Sequence, residues 1–349
     1  MSGEQRQIEY VTTSDGARIA CKRKSHAGGP PVILVHGLGV NADLWDLPEV
    51  RGEDYHYRSL AAILSEVNCD LWMVNLRGHG APHALSESPP GQEDWCVDHF
   101  ILYDLPAVIA RVRAATGRRP FVIGNSMGAM TLSGHVQGAR LIEESAGARI
   151  VADAETARQR AAELAGCVFV EFPAALRWPA ALYDDGGGWN WNGVLRDWRC
   201  AEGDANYPFE ILARWGWLQA IIEATGQVPL AWLRGDPGQP WWSRLSPQVA
   251  ERVSVLEKSV VEGMLGLVGK IKGGTNYRAE VLLQGRRYVA DHMKAGVLKQ
   301  MAKSVRQGAF VSTLGSPDHV YSDNYQHITV PTLVIVGGRD RIANAEVTR

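Results

Sequence analysis

Five consecutive residues, Gly124-Asn125-Ser126-Met127-Gly128, directly follow the apolar run Phe121-Val122-Ile123 and open a stretch with helical periodicity. A serine with glycine two positions away on either side can be pushed out of a sheet on a sharp strand-to-helix turn. Only a missing Cβ lets the strand and the helix approach that closely. The helix N-terminus behind the serine also favours negative charge at that point. The chemistry this predicts is attack by the Ser126 hydroxyl on a carbonyl carbon, which needs two backbone N–H donors aimed at the developing oxyanion. One donor is expected from Met127, the residue after the nucleophile. The other is expected from Leu38 in His36-Gly37-Leu38-Gly39, a loop that directly follows the run Val32–Val35. His36 stands at the strand end and reads as a structural residue. The plainer alternative for both loops is a glycine-rich turn that serves packing alone.

Those loops need a sheet to hold them. Pro31–Val35, Cys69–Asn75, Phe121–Ile123 and Cys167–Phe172 are short runs rich in Val, Ile and Leu without polar alternation, as in strands buried on both faces. Helical segments are predicted between them at Tyr57–Val67, Asp104–Ala115 and Met127–Ile142. Strand, helix, strand, helix implies right-handed crossovers and a doubly wound, mostly parallel α/β sheet. Ile8–Val11 and Arg18–Lys22, around Ser14-Asp15-Gly16, read as an antiparallel hairpin at its edge. After Phe172 the pattern changes. Residues 177–326 offer no clear buried strand but helical segments at Phe209–Ala224, Gln248–Lys270 and Ala279–Arg306. Nine of the twelve tryptophans fall between Trp178 and Trp242. Thr329–Val336 then restores the buried-strand signature. The predicted organisation is a core in residues 1–176, a tryptophan-rich helical cap in 177–326, and the second part of the core in 327–349. A cap leaving a strand end there lies over the sheet's carboxyl edge, where ligands sit in open α/β sheets.

A third motif, Asn75-Leu76-Arg77-Gly78-His79-Gly80, follows the run Asp70–Val74. With it the order HGLG, NLRGHG, GNSMG and Val330-Pro331-Thr332-Leu333-Val334-Ile335-Val336-Gly337-Gly338-Arg339-Asp340 resembles the α/β-hydrolase superfamily outside the insertion. Asp70–Gly78 and Tyr103–Ile109 are similar to its acid-lipase branch. They also resemble polyhydroxyalkanoate synthases, which carry Cys where this chain has Ser126. The GNSMG turn is similar to that of C–C bond hydrolases, whose cap is usually shorter. The resemblance implies a serine-nucleophile esterase or lipase with a Ser-acid-His triad. A base needs a carboxylate to orient it, and the resemblance implies that Asp340 supplies it. The alternatives are an Asp340 merely paired with Arg339 or Arg341, or an acid at Asp184 or Asp185. Family chain order is Ser, acid, His, and the ten histidines end at His327. The expectation is that the last strand, the last helix and the catalytic histidine lie beyond Arg349. His79 could be mistaken for the general base, but the resemblance makes this turn a supporting or entrance element. His79, His292, His319 or His327 within hydrogen-bond reach of Ser126 Oγ would overturn the expectation.

Composition excludes little and points away from other classes. Lys+Arg 36 against Asp+Glu 38 leaves a formal charge of -2, so no nucleic-acid partner is indicated. The five cysteines are scattered without CxxC spacing, and no metal or cofactor is implied. No run approaches the ~20 apolar residues that span a bilayer, and the polar N-terminus lacks a signal-peptide core. The chain is therefore expected to be cytoplasmic. The reading is hydrolysis of a small-molecule carboxylic ester with an apolar acyl or alcohol part. The rivals are an acyltransferase, a C–C bond hydrolase, or a ligand-binding homologue that has lost turnover.

Overall fold

The computed structural model describes residues 6–51, 56–92, 94–145, 147–174, 227–228, 288–289 and 291–337. The chain opens on the predicted hairpin, β1 (Arg6–Thr12) and β2 (Arg18–Lys24), turned at Gly16 with φ +93°. Two strands buried along their whole length follow, β3 (Pro31–Val35) and β4 (Asp70–Val74), with α1 (Leu60–Glu66) between them. Ser59 Oγ caps α1 by accepting the Ala62 N–H at 3.0 Å, so the helix starts three residues later than its apolar pattern suggests. One π-helical turn, Phe100–Asp104, leads into α2 (Leu105–Thr116). That helix stops where Gly117 turns left-handed at φ +66° and donates to Arg113 O.

Next come β5 (Phe121–Asn125) and α3 (Met127–Val136), the latter buried on every side. The periodicity predicts helix as far as Ile142, and the structure corrects this. Gly138, at φ +79°, turns the chain so tightly that a Cβ there would lie 2.2 Å from Asp153 O. Residues 139–152 instead form a separate hairpin, β6 (Ala139–Glu144) with β7 (Gly147–Ala152). Then follow α4 (Ala154–Ala162), capped by the Asp153 carboxylate, β8 (Gly166–Val170), α5 (Ala295–Gln307) and β9 (Thr332–Ile335).

Seven of these strands form one sheet in the order β1-β2-β4-β3-β5-β8-β9. Pairing is antiparallel from β1 through β4 and parallel from β4 to β9. Strand order reverses between β3 and β4, and the loops after β3, β4, β5 and β8 therefore gather at one carboxyl edge. Among the described strands β9 is the outermost, and there Leu333, Val334 and Ile335 are exposed, against the buried pattern expected of them.

Of the predicted cap, residues 177–226, 229–287 and 290 lie outside the described residues, and so do the nine tryptophans counted there. Residues 291–326 are described and pack on the core. The predicted helix Ala279–Arg306 is corrected where it is described: Met293–Lys294 is extended and pairs with Gln227–Val228, and α5 runs from Ala295 to Gln307. A buried carboxylate ties this region down. Asp98 Oδ1 accepts Gln300 Nε2 at 2.7 Å and the Tyr321 hydroxyl at 2.9 Å, while Oδ2 accepts the Thr313 and Leu314 N–H groups at 2.7 and 2.8 Å. Among the described residues no helix is long and apolar enough to cross a membrane.

Candidate active site

The elbow is built by absent side chains. A Cβ on Gly124 would meet Gly128 O at 2.5 Å, and one on Gly128 would meet Val35 O at 2.3 Å. Both distances are far inside van der Waals contact with rigid backbone, so glycine is required at each position for α3 to start against β5 and β3. Ser126, between them, adopts φ +50° and ψ -112°, a conformation that costs a non-glycine residue of order 1–3 kcal/mol. The surroundings enforce it: the Ser126 N–H donates to Val170 O at 2.9 Å, and Ser126 O accepts the Met130 N–H at 3.0 Å. The hydroxyl is half-buried and forms no hydrogen bond to a described residue. Strain concentrated on a serine with an uncommitted hydroxyl is what a nucleophile turn requires.

The loop after β3 abuts this turn. A methyl placed on Gly37 would lie 3.3 Å from Ser126 Cβ and 3.1 Å from Asn125 Oδ1. Leu38 follows it, and Met127 is the first residue of α3, where an N–H has no intrahelical partner. Neither amide donates to a described residue.

His36 is a fastener. It is fully buried; its Nε2 accepts the Leu76 N–H at 3.1 Å and its Nδ1 donates to Gly37 O at 2.8 Å. Burial, then the neighbouring His79 ring, holds the imidazole neutral, well below the usual histidine range. The His79 ring centroid is 4.8 Å from that of His36, and its Nδ1 faces Arg77 O at 3.0 Å. Gly78 and Gly80 let this turn pack, since a Cβ on Gly78 would fall 2.0 Å from the Trp95 ring.

Arg77 of the same motif is fully buried and serves structure. Its Nε donates to Asp104 Oδ1 at 2.9 Å and its Nη1 to Asp15 Oδ2 at 2.7 Å. Burial raises the Asp104 carboxyl and Arg77 opposes that shift, whereas at the less buried Asp15 the Arg77 guanidinium prevails and lowers it.

Three contributors were not foreseen. Asp291, also buried, accepts the Gly80 N–H at 2.7 Å, and its own N–H donates to Gly39 O at 2.8 Å. Val289 O accepts the Asn41 N–H at 3.1 Å. These bonds strap the loop after β3 to the turn after β4, and no local pattern announces them. Glu171 follows β8 at φ +50°, and its Oε2 accepts Asn125 Nδ2 at 3.3 Å. A charged residue ending a buried parallel strand is a sequence signal for this edge of a sheet. Asp340, Asp184 and Asp185 lie outside the described residues. His319 rests edge-on against Tyr321, and no described histidine hydrogen-bonds Ser126 Oγ. Cys21, Cys69, Cys96 and Cys167 are buried free thiols, and burial pushes Cys167 up to about 12. Among the described residues no group of three or more His, Cys, Asp or Glu has the arrangement to hold a metal ion.

Residues 30–133 match the family model described as alpha/beta hydrolase fold. With the sheet order above, the chain carries that fold. It is similar to triacylglycerol lipase 1 of Arabidopsis thaliana, 31% identical over 126 residues, covering 34% of this chain and 30% of the lipase. It is also similar to human gastric triacylglycerol lipase, 35% identical over 135 residues, 34% of this chain and 32% of the lipase. The matches thus span about a third of these relatives' length. Among solved structures an esterase from Exiguobacterium antarcticum aligns over 98% of this chain and 85% of its own, at 14% identity and TM-score 0.48.

Proposed function

We propose that the protein hydrolyses carboxylic esters with an apolar acyl or alcohol part, with Ser126 as the nucleophile. The observation that carries this is the serine at φ +50° with an uncommitted hydroxyl, on a turn whose flanking glycines admit no Cβ. Ser126 Oγ attacks the ester carbonyl, and the Leu38 and Met127 N–H groups stabilise the oxyanion. A serine hydroxyl is a weak nucleophile until a neighbouring imidazole takes its proton. In this reading a histidine oriented by Asp340 does so and then returns the proton to the leaving alkoxide. Water hydrolyses the acyl-enzyme by the same steps in reverse. The similarity to proteins named triacylglycerol lipases supports an apolar acyl chain.

A fluorophosphonate probe tests the nucleophile directly, because it phosphonylates only an activated serine. Mass spectrometry should place the adduct on Ser126, and p-nitrophenyl esters should be turned over faster than thioester donors or ring-cleavage dienones. An unlabelled Ser126 in folded protein that includes the catalytic histidine overturns the reading and leaves a binding protein on a hydrolase fold.

A further inference from the structure

Two non-glycine residues with positive φ lie side by side at the carboxyl ends of neighbouring strands. Ser126 follows β5 and Glu171 follows β8, each at φ +50°. A further one, Asn68, is of a type that enters this region readily. Glutamate is not. Glycine would adopt φ +50° without strain, so the backbone at 171 gains nothing from a glutamate, and the reason for it lies in the side chain.

Its surroundings say what the side chain does. Val170 pairs with Asn125 in the sheet, Val170 O accepts the Ser126 N–H, and the Glu171 N–H donates to Ile335 O at 2.9 Å. The backbone at 170–171 is thus clamped from both neighbouring strands, and the carboxylate emerges beside the elbow. There Glu171 Oε2 accepts Asn125 Nδ2. With the amino end of the Asn125 amide donating to Glu171, the carbonyl oxygen is turned away from it. That oxygen lies against Gly37, 3.1 Å from where a Cβ would stand. Leu38, the outer oxyanion donor in the proposed mechanism, is the next residue.

We infer that Glu171 is a positioning residue for the oxyanion loop: by holding the Asn125 amide against Gly37 it sets the distance from Leu38 N–H to Ser126. The inference rests on Ser126 being the nucleophile. Misplacing a reacting group by ~1 Å costs on the order of 10²-fold in rate, so a loop released by a fraction of that distance should lose about tenfold.

The test is the rate of Ser126 phosphonylation by a fluorophosphonate, with the melting temperature measured on the same samples. Glu171→Gly should lower the rate about tenfold while leaving the melting temperature equal or higher, since the strain at φ +50° is relieved. Glu171→Gln keeps an acceptor and should label within about threefold of wild type, a far smaller loss than displacement brings. Asn125→Ala should reproduce the loss, and Glu171→Gly/Asn125→Ala should lose no more than either alone, as for residues acting as one unit. Unchanged labelling in Glu171→Gly overturns the role of Glu171 and leaves Ser126 as nucleophile. So does a Glu171→Gln as slow as Glu171→Gly beside a normal Asn125→Ala, because Glu171 then acts directly through its charge. Slow labelling with an equally large loss of melting temperature makes Glu171 a fold residue and overturns the inference as well. A wild-type protein that does not label at Ser126 overturns the mechanism and this inference together.

Discussion

Gly128 stands so close to Val35 that a Cβ on it would come within 2.3 Å of the Val35 carbonyl oxygen. That approach brings the first turn of α3 onto β3. Overpacking against rigid backbone costs typically 1–3 kcal/mol or more. Gly128→Ala should therefore lower unfolding free energy by at least about 2 kcal/mol in urea titration. A variant as stable as wild type shows that the strand and the helix are farther apart than this.

Ser126→Ala removes one oxygen from a side chain that hydrogen-bonds no described residue, so the melting temperature should change by no more than a few degrees. Ester hydrolysis by the protein that includes the catalytic histidine should fall by a factor on the order of 10⁶, as for a nucleophile in a comparable triad. Turnover retained by the purified variant would assign the reaction to another group.

Acid should weaken the fold through His36. Burial and the His79 ring keep its folded-state value well below the usual 6.5, while in the unfolded chain it protonates near 6.5. The unfolded state thus takes up a proton that the native state does not. The stabilisation is complete above pH 6.5 and is lost as the pH falls towards the depressed folded-state value. The slope approaches ~1.4 kcal/mol per pH unit for this group. His135, buried in α3 and likewise held low, first by burial and then by Arg160, adds to the effect. Urea midpoints at several pH values between about 7.5 and 5 should fall less steeply in His36→Gln; parallel curves exclude His36.

Arg77 and Asp104 share a fully buried ion pair. Removing one partner leaves an uncompensated buried charge, which costs about 3–5 kcal/mol. Arg77→Met should be destabilised on that scale. Arg77→Met/Asp104→Asn should recover at least about half of the loss, because the fully buried orphaned charge is gone, the remaining Asp15 carboxylate is partly exposed, and an acceptor for the backbone N–H of residue 77 remains. A double variant no better than the single one shows that packing of the guanidinium stem, not its charge, matters most.

Asp98 connects the segment after Cys96 to Gln300, Thr313 and Tyr321, more than two hundred residues later. Asp98→Ala should expose 300–321 to amide hydrogen exchange well before the sheet opens, since these donors lose their shared acceptor. Exchange of that segment unchanged from wild type means that apolar contacts around Phe310 and Tyr321 hold it without the carboxylate.

Much of this site was legible along the chain. Gly124, Gly128 and Gly37, the placement of Ser126, and the runs that became β3, β4, β5 and β8 all express local rules: a turn needs a missing Cβ, and a buried parallel strand needs an uninterrupted apolar run. Met127–Ile142 misled because the apolar pattern continues past Gly138, where the tight approach to Asp153 ends the helix. The segment before Ala295 misled because Val289 and Asp291 bond to Asn41 and Gly39 and Met293–Lys294 pairs as a strand, a tertiary demand that outweighs helical propensity. The partners Asp291–Gly80 and Glu171–Asn125 are separated by 211 and 46 residues and could not be read from either segment. Which carboxylate reaches which amide depends on strand order and register, and these arise only when several buried strands pair at once. Residue types and spacing therefore determined the turn and pointed to the chemistry proposed for it. The tertiary structure decided what holds that turn in place, because hydrogen bonds between distant residues exist only after the sheet has brought their strands together.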